Sequence, residues 1–175
     1  MVKKSLLVTI GLIIAICFTG NGFTEELTPQ LCRAKAIAAA KLVEQNGEKA
    51  FDALKDPNGE FRFGNGAGYV WVQDLDAIMI MHPIKPSLDG KNLSKLQDTN
   101  GVLFFVAFNE IAEDSGAGWV GYLWPKPGEK DTSPKVSYVK LAKHGDKEYV
   151  IGSGIYDVTE ENIKKLFPKD AIYED

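Results

Sequence analysis

The chain has 175 residues, 45% of them hydrophobic and 25% charged, with a formal charge of −4; this is ordinary globular composition with room for one domain. Its 20 Lys and Arg against 24 Asp and Glu form no basic stripe or cluster, which argues against nucleic acid as a partner. Two histidines and two cysteines would force a zinc site to draw most of its ligands from carboxylates, so no metal or other cofactor is expected.

Residues 1–22 read as a secretory signal peptide. Lys3 and Lys4 form a basic start, "LLVTIGLIIAICF" is an apolar run, and Gly20 and Gly22 supply small residues at the cut. The run of 13 falls short of the roughly 20 apolar residues of a membrane span, which makes an uncleaved anchor the competing reading. Ile16 before Cys17 argues against a lipidated cysteine. Cleavage takes away two of the 20 basic residues and none of the 24 acids, leaving a charge of −6 on residues 23–175. Cys32 is then the only cysteine, so no internal disulfide can form; its place on an apolar helix argues for a buried thiol.

Thr28-Pro29 starts a helix, with Thr as N-cap and Pro at the first helical position. The alanine-rich "QLCRAKAIAAAKLVEQ" places Leu31, Ala34, Ala38 and Leu42 on roughly one face, and Asn46-Gly47 stops it. "EKAFDAL" then clusters Ala50, Phe51 and Leu54, so the two segments predict an N-terminal helical hairpin laid across the back of a sheet. Past the turn-rich "DPNGEFRFGNGAG" the period becomes that of strands. Residues 69–73 and 77–82 flank an Asp74-Leu75-Asp76 turn, and strands at 118–125, 135–142 and 148–156 follow, separated by Pro/Gly-rich and His144-Gly145-Asp146 turns. About five strands with short connections predict a largely antiparallel sheet and an α+β fold. Between the second and third strands, the insertion 83–117 carries a helix with Phe104, Phe105, Phe108, Ile111 and Ala112 on one face. A last helix, "TEENIKKLF", has Thr159 as cap, acids in its first turn and lysines in its last.

Several motifs fail on context. "GNGAG" at 64–68 precedes a strand instead of opening a helix, so it makes no dinucleotide loop. "DPNGEF" begins like a calcium loop but puts Phe61 where the sharp turn demands glycine. No serine sits in a nucleophile elbow. What remains is polar and aromatic side chains on strands: His82 at the end of the second, Tyr122 and Trp124 on one face of the third, Tyr138 and Lys140 on one face of the fourth. If those faces coincide, they present an imidazole, two phenols, an indole and an ammonium beneath the insertion. Phenol and ammonium donors hold a carboxylate, and Trp124 with the helix phenylalanines encloses its apolar part. Tyr69 and Trp71 read as core, Lys85 and Lys91 as solvated loop charges.

The ordered series "YVWVQDLDAIMIMHPIKPSLDGKNLSKLQDTNG", "GAGWVGYLWPKPGEKDTSPKVSYVKL" and "EYVIGSGIYD" resembles the single-module Cache domains over about residues 28–157. The resemblance implies a PAS-like antiparallel sheet with the helical insertion as a lid. It also implies an extracytoplasmic, periplasmic or secreted setting, binding of small molecules such as organic acids or amino acids, and no catalysis. Carried over by position, the pocket falls on His82, Tyr122, Trp124, Tyr138 and Lys140. Members commonly sit in receptors ahead of a transmembrane helix and a signalling module. No apolar run follows Ile155 here, so the expectation is a sensor without its own output module. It would present its state to a membrane-bound receptor or kinase; the oligomeric state stays open, with the N-terminal helix as the place to look for a homodimer contact. Two other classes stay open: an interaction module whose groove takes a peptide or partner helix, and an enzyme with His82 as general base. The second needs a carboxylate or nucleophile within about 3 Å of the ring.

Overall fold

The computed structural model describes residues 26–174; the signal-peptide expectation for 1–22 lies outside them. Helix α1 (Pro29–Asn46) begins as its sequence demands, with the Thr28 hydroxyl accepting from Leu31 N at 3.2 Å, and ends at Gly47 with φ 58°. Its buried face is Cys32, Ala36, Ala39, Ala40 and Val43, whereas Ala34 and Ala38 are exposed. An alanine-rich helix carries a weak amphipathic signal, which is why the expected face was rotated. Where a second helix of a hairpin was expected, a 3₁₀ turn (Gly47–Ala50) leads into one short turn of helix, α2 (Phe51–Lys55).

The strands are β1 (Arg62–Phe63), β2 (Gly68–Gln73), β3 (Met79–Met81), β4 (Ala117–Pro125), β5 (Thr132–His144), β6 (Lys147–Tyr156) and β7 (Ala171–Ile172). They form one sheet in the order β1-β2-β6-β5-β4-β7, with β3 pairing the far end of β2. Every pairing is antiparallel except β4 with β7. All five expected strands are present, joined by the short β1 and β7. Helix α3 (Phe104–Ser115) follows the crossover from β3, and α4 (Glu160–Leu166) is closed by a Thr159/Asn162 capping box.

The period-2 alternation of the strands gives each sheet face its own layer. Val70, Val72, Tyr149, Ile151 and Ala142 pack with α1 and α2. Tyr69, Trp71, Val150, Val139 and Val120 pack with α3. Gln73, fully buried, pins α3 to the sheet: its Nε2 donates to Phe105 O at 2.9 Å and to Asn109 Oδ1 at 2.7 Å. The crossover is fixed as firmly. Asp98 carboxylate oxygens accept from Asn100 N, Val102 N and Leu123 N at 2.8–3.0 Å, tying residues 98–102 to β4.

Candidate functional site

Between α3 and the sheet lies a small hollow with room for about one water molecule. Its walls are Tyr69 and Trp71 of β2, Tyr122 and Trp124 of β4, Lys135 of β5, and His82; Phe104, Phe105 and Phe108 form the roof. Two glycines of β6 make room for this floor. A methyl at Gly152 would collide with the Trp71 indole, and one at Gly154 would collide with Ser137 Oγ and come within 2.7 Å of Lys135 Cε. Thus the G-x-G of "VIGSGIY" lets a large ring and a long amine lie flat across the sheet.

Lys135 is only 2% exposed. Its Nζ donates to Tyr69 Oη at 2.8 Å and stands 4.6 Å from the Tyr69 ring centre, 4.7 Å from Tyr156, 5.5 Å from Trp71 and 5.9 Å from Tyr122. Such rings attract a cation through their π faces. No carboxylate among the described residues pairs with it. Burial pushes the ammonium down to about 7; the Cys32 thiol behind the sheet pulls it up and Lys85 pushes it down further. An ammonium with one hydrogen bond of its three and no counter-charge is the unusual group of this fold.

His82 lies just past the end of β3, and the chain holds it from both sides. Its backbone N–H donates to Asp89 Oδ1 at 2.8 Å, and its ring Nδ1 accepts from Ile84 N at 3.2 Å and Lys85 N at 3.0 Å. Nδ1 therefore carries the lone pair and Nε2 the proton, leaving a neutral ring with an N–H donor. Burial, with Lys135 and Lys85 nearby, pushes the imidazole down to about 3, so the ring stays neutral in ordinary buffers. The ring sits 5.1 Å from that of Tyr69. Tyr122, buried, shares a 2.9 Å hydrogen bond with Ser137 and stacks on Phe104 at 4.5 Å. Burial raises the phenols of Tyr69 and Tyr122 and pushes that of Tyr156 up to about 12, so all three remain neutral.

Of the five residues expected to share one hollow, His82, Tyr122 and Trp124 line this cavity and Tyr138 and Lys140 do not. The register pairs Tyr122 with Lys135 and Val120 with Ser137, and residues opposite one another on paired strands share a face. Odd-numbered residues of β5 therefore face the cavity. Tyr138 instead packs on Trp119 and under the Arg33 guanidinium on the α1 side, and Lys140 shares that side. Lys135 was not among the expected residues; Tyr69 and Trp71, expected in the core, are buried core residues that also line the cavity. Lys85 was expected in solvent, whereas its ammonium lies 4.5 Å over the Trp124 ring at the cavity rim. The signal available was the six-residue loop 126–131 between Pro125 and Thr132: an even loop pairs residues of opposite parity.

No group of His, Cys, Asp and Glu that could hold a metal ion occurs among the described residues. A sheet face roofed by a helix, with phenol, imidazole and ammonium groups around one hollow, is an arrangement that can hold a small polar molecule. The Cache domain family model matches residues 36–172, and the chain belongs to the Cache domain family. It is thus a non-catalytic small-molecule sensor module. The methyl-accepting chemotaxis protein McpP of Pseudomonas putida is 43% identical over 103 residues, 56% of this chain and 18% of that protein. The sensor histidine kinase MctS of Rhizobium johnstonii is 32% identical over 90 residues, 51% of this chain and 19% of that protein. The chain spans less than a fifth of either curated relative.

Among solved structures, a periplasmic sensor domain of a chemotaxis protein superposes with a TM-score of 0.62 at 38% identity. The match covers 73% of this chain and 93% of that one. A Cache chemosensory domain described for carboxylic acid recognition gives 0.58 at 29% identity, over 74% and 88% of the two chains.

Proposed function

We propose that the chain is an exported sensor module that holds a small carboxylate between Lys135 and His82 beneath α3. The observation that carries this reading is Lys135. A buried ammonium without a counter-ion is costly in the free protein, and an anion that completes it recovers part of that cost as binding energy. His82 Nε2–H adds a donor that needs no protonation. No Asp or Glu lines the cavity among the described residues, so the α-ammonium of an amino acid would meet no opposite charge. The ligand is therefore an organic acid without an α-ammonium, and the α3 roof must give way to admit it, since the hollow as it stands has room for about one water. The similarity to a domain described for carboxylic acid recognition supports the same class.

Export by residues 1–22 to the periplasm fits the likeness to a periplasmic sensor domain. The state of the cavity is read by a membrane-bound receptor or kinase, a reading supported by the two curated relatives, a chemotaxis protein and a sensor kinase. A homodimer belongs to the same reading, and sedimentation in solution tests it. An interaction groove is less well supported: the exposed large hydrophobics among the described residues are Leu103 and Leu166, which do not amount to a patch.

Thermal shift with acetate, propionate, butyrate and alanine tests the ligand class. A carboxylate at about 100 times its Kd stabilises the fold by about 2.7 kcal/mol, and alanine leaves it unmoved. A protein that answers alanine as strongly as propionate, or answers none of the carboxylates, sinks the reading.

A further inference from the structure

The polar groups around Lys135 raise a question about the proton on Nζ. From β2 comes the Tyr69 hydroxyl, from β4 Tyr122 and from β6 Tyr156, all neutral phenols. The crossover brings His82, whose Nδ1 is occupied by two backbone amides, and the Lys85 ammonium, of the same sign as Lys135. Arg62 of β1 adds a further positive influence on Tyr69 and His82. Helix α3 contributes phenylalanine rings only. Behind the sheet sits the Cys32 thiol, which burial pushes up to about 11 and keeps protonated. The acid felt in this neighbourhood is Glu129, which acts on Tyr156 and is exposed in the β4–β5 loop. The protein thus gives Lys135 aromatic faces and one phenol oxygen, but no negative charge in contact with it to offset its burial.

We propose that carboxylate binding is coupled to uptake of a proton by Lys135 Nζ, so that the cavity responds to the combination of anion and proton and not to the anion alone. This rests on the carboxylate reading. The bound anion is the first negative charge in contact with Nζ, and an opposite charge within a few ångströms favours the ammonium. A group that binds its proton more tightly in the complex than in the free protein makes affinity fall with rising pH. Burial places the free amine near 7, within the range where this linkage operates. Proton and anion leave solvent together, and the complex is an ammonium carboxylate pair.

Calorimetric titration of the protein with propionate is the test, run from about pH 6 to about pH 9 at constant ionic strength. The Kd is expected to be flat up to about pH 7 and then to rise towards tenfold per pH unit. At about pH 8 the observed heat is expected to differ between phosphate and Tris, because the bound proton comes from the buffer. Lys135→Arg, which keeps its charge throughout, should flatten the profile, and Lys85→Gln should leave the slope intact. Propionate binding with a Kd constant within about twofold over this range, and with no buffer dependence, overturns the coupling while leaving the ligand class standing. A slope that disappears in Lys85→Gln also overturns it, by assigning the proton to the rim. Absence of propionate, acetate and butyrate binding at every pH overturns both the coupling and the reading beneath it.

Discussion

Two cations sit among aromatic rings on opposite faces of this sheet, and one of them has a counter-ion. On the α1 face, the Arg33 guanidinium lies 5.3 Å from the Tyr138 ring centre and 5.5 Å from that of Phe167. Its Nε and Nη2 donate to the Asp170 carboxylate at 2.7 and 3.1 Å, and Trp119 Nε1 donates to the same carboxylate at 3.1 Å. That cluster is complete, and it fastens α1 to the segment leading into β7. On the α3 face, Lys135 has four rings and a phenol oxygen but no carboxylate. Aromatic company is common to both clusters and so cannot mark a site. The missing charge is what distinguishes them. A bidentate pair within the chain is a clasp, whereas the desolvated ammonium left open is what the carboxylate proposal rests on.

The largest effect that separates the two faces comes from Lys135→Met. Propionate affinity should fall by roughly 30- to 150-fold, the 2–3 kcal/mol of a lost charge-assisted hydrogen bond. The same variant should be more stable than the parent without ligand, by about 1–4 kcal/mol, because an unpaired buried charge is replaced by a thioether. The gain has a pH signature. The folded amine, near 7, binds its proton less tightly than the unfolded one, whose ordinary value is 10.5. Its destabilisation is therefore complete below about pH 7 and disappears as pH rises towards about 10. Urea titrations of both proteins across that range should show their stabilities converging at alkaline pH. A Lys135→Met protein that is less stable at neutral pH would mean that Lys135 has a partner and is a structural group.

Gly154→Ala comes next. A methyl there meets Ser137 Oγ and the Lys135 Cε, so the amine must leave the floor or the strands must part. Overpacking of this kind costs about 1–3 kcal/mol, and propionate binding should weaken with it. Thermal melts and titration together check this; unchanged binding would show that the position of Nζ is not set by β6.

Asp170→Asn probes the opposite face. It leaves Arg33 with a neutral partner, and because the Arg33 side chain is 35% exposed, solvent screens much of the loss. A destabilisation of about 1–2 kcal/mol is expected, with the propionate Kd unchanged within about twofold. Loss of ligand response in a folded Asp170→Asn protein would couple the two clusters and undo their separation.

Much of this was legible in the chain. Caps and turn residues placed α1, α4 and the five main strands, because these signals are local. The α3 roof was legible for the same reason: Phe104, Phe105 and Phe108 recur at helical spacing and are all buried. His82 could be suspected, since a strand that ends in His-Pro above a long crossover has few structural reasons to do so. The face of β5 was not legible from that strand by itself. "PKVSYVKL" carries a lysine and a hydroxyl at either parity, with Lys135 and Ser137 on one side and Tyr138 and Lys140 on the other. Only the loop that sets the register decides between them, and a shift of one residue exchanges the two sets. Lys135 also lies opposite Tyr156 across β6, so the "GSGIY" motif and the lysine are one feature seen on two strands.

The smallest effects are expected where reading placed the ligand contacts. Tyr138→Phe removes a hydroxyl on the α1 face, beside Arg33, and leaves the ring that packs on Trp119 at 5.2 Å. Lys140→Met changes a half-buried lysine on the same face. Each should shift stability by no more than about 0.5–1 kcal/mol. Neither side chain can reach a cavity on the other side of a hydrogen-bonded sheet, so both variants should keep the propionate Kd and its pH profile. Titration of the two variants beside Tyr122→Phe makes the comparison sharp, since Tyr122, like Tyr69, lines the cavity. A tenfold loss in either Tyr138→Phe or Lys140→Met would place the ligand on the α1 face, and the open charge of Lys135 would then need another explanation.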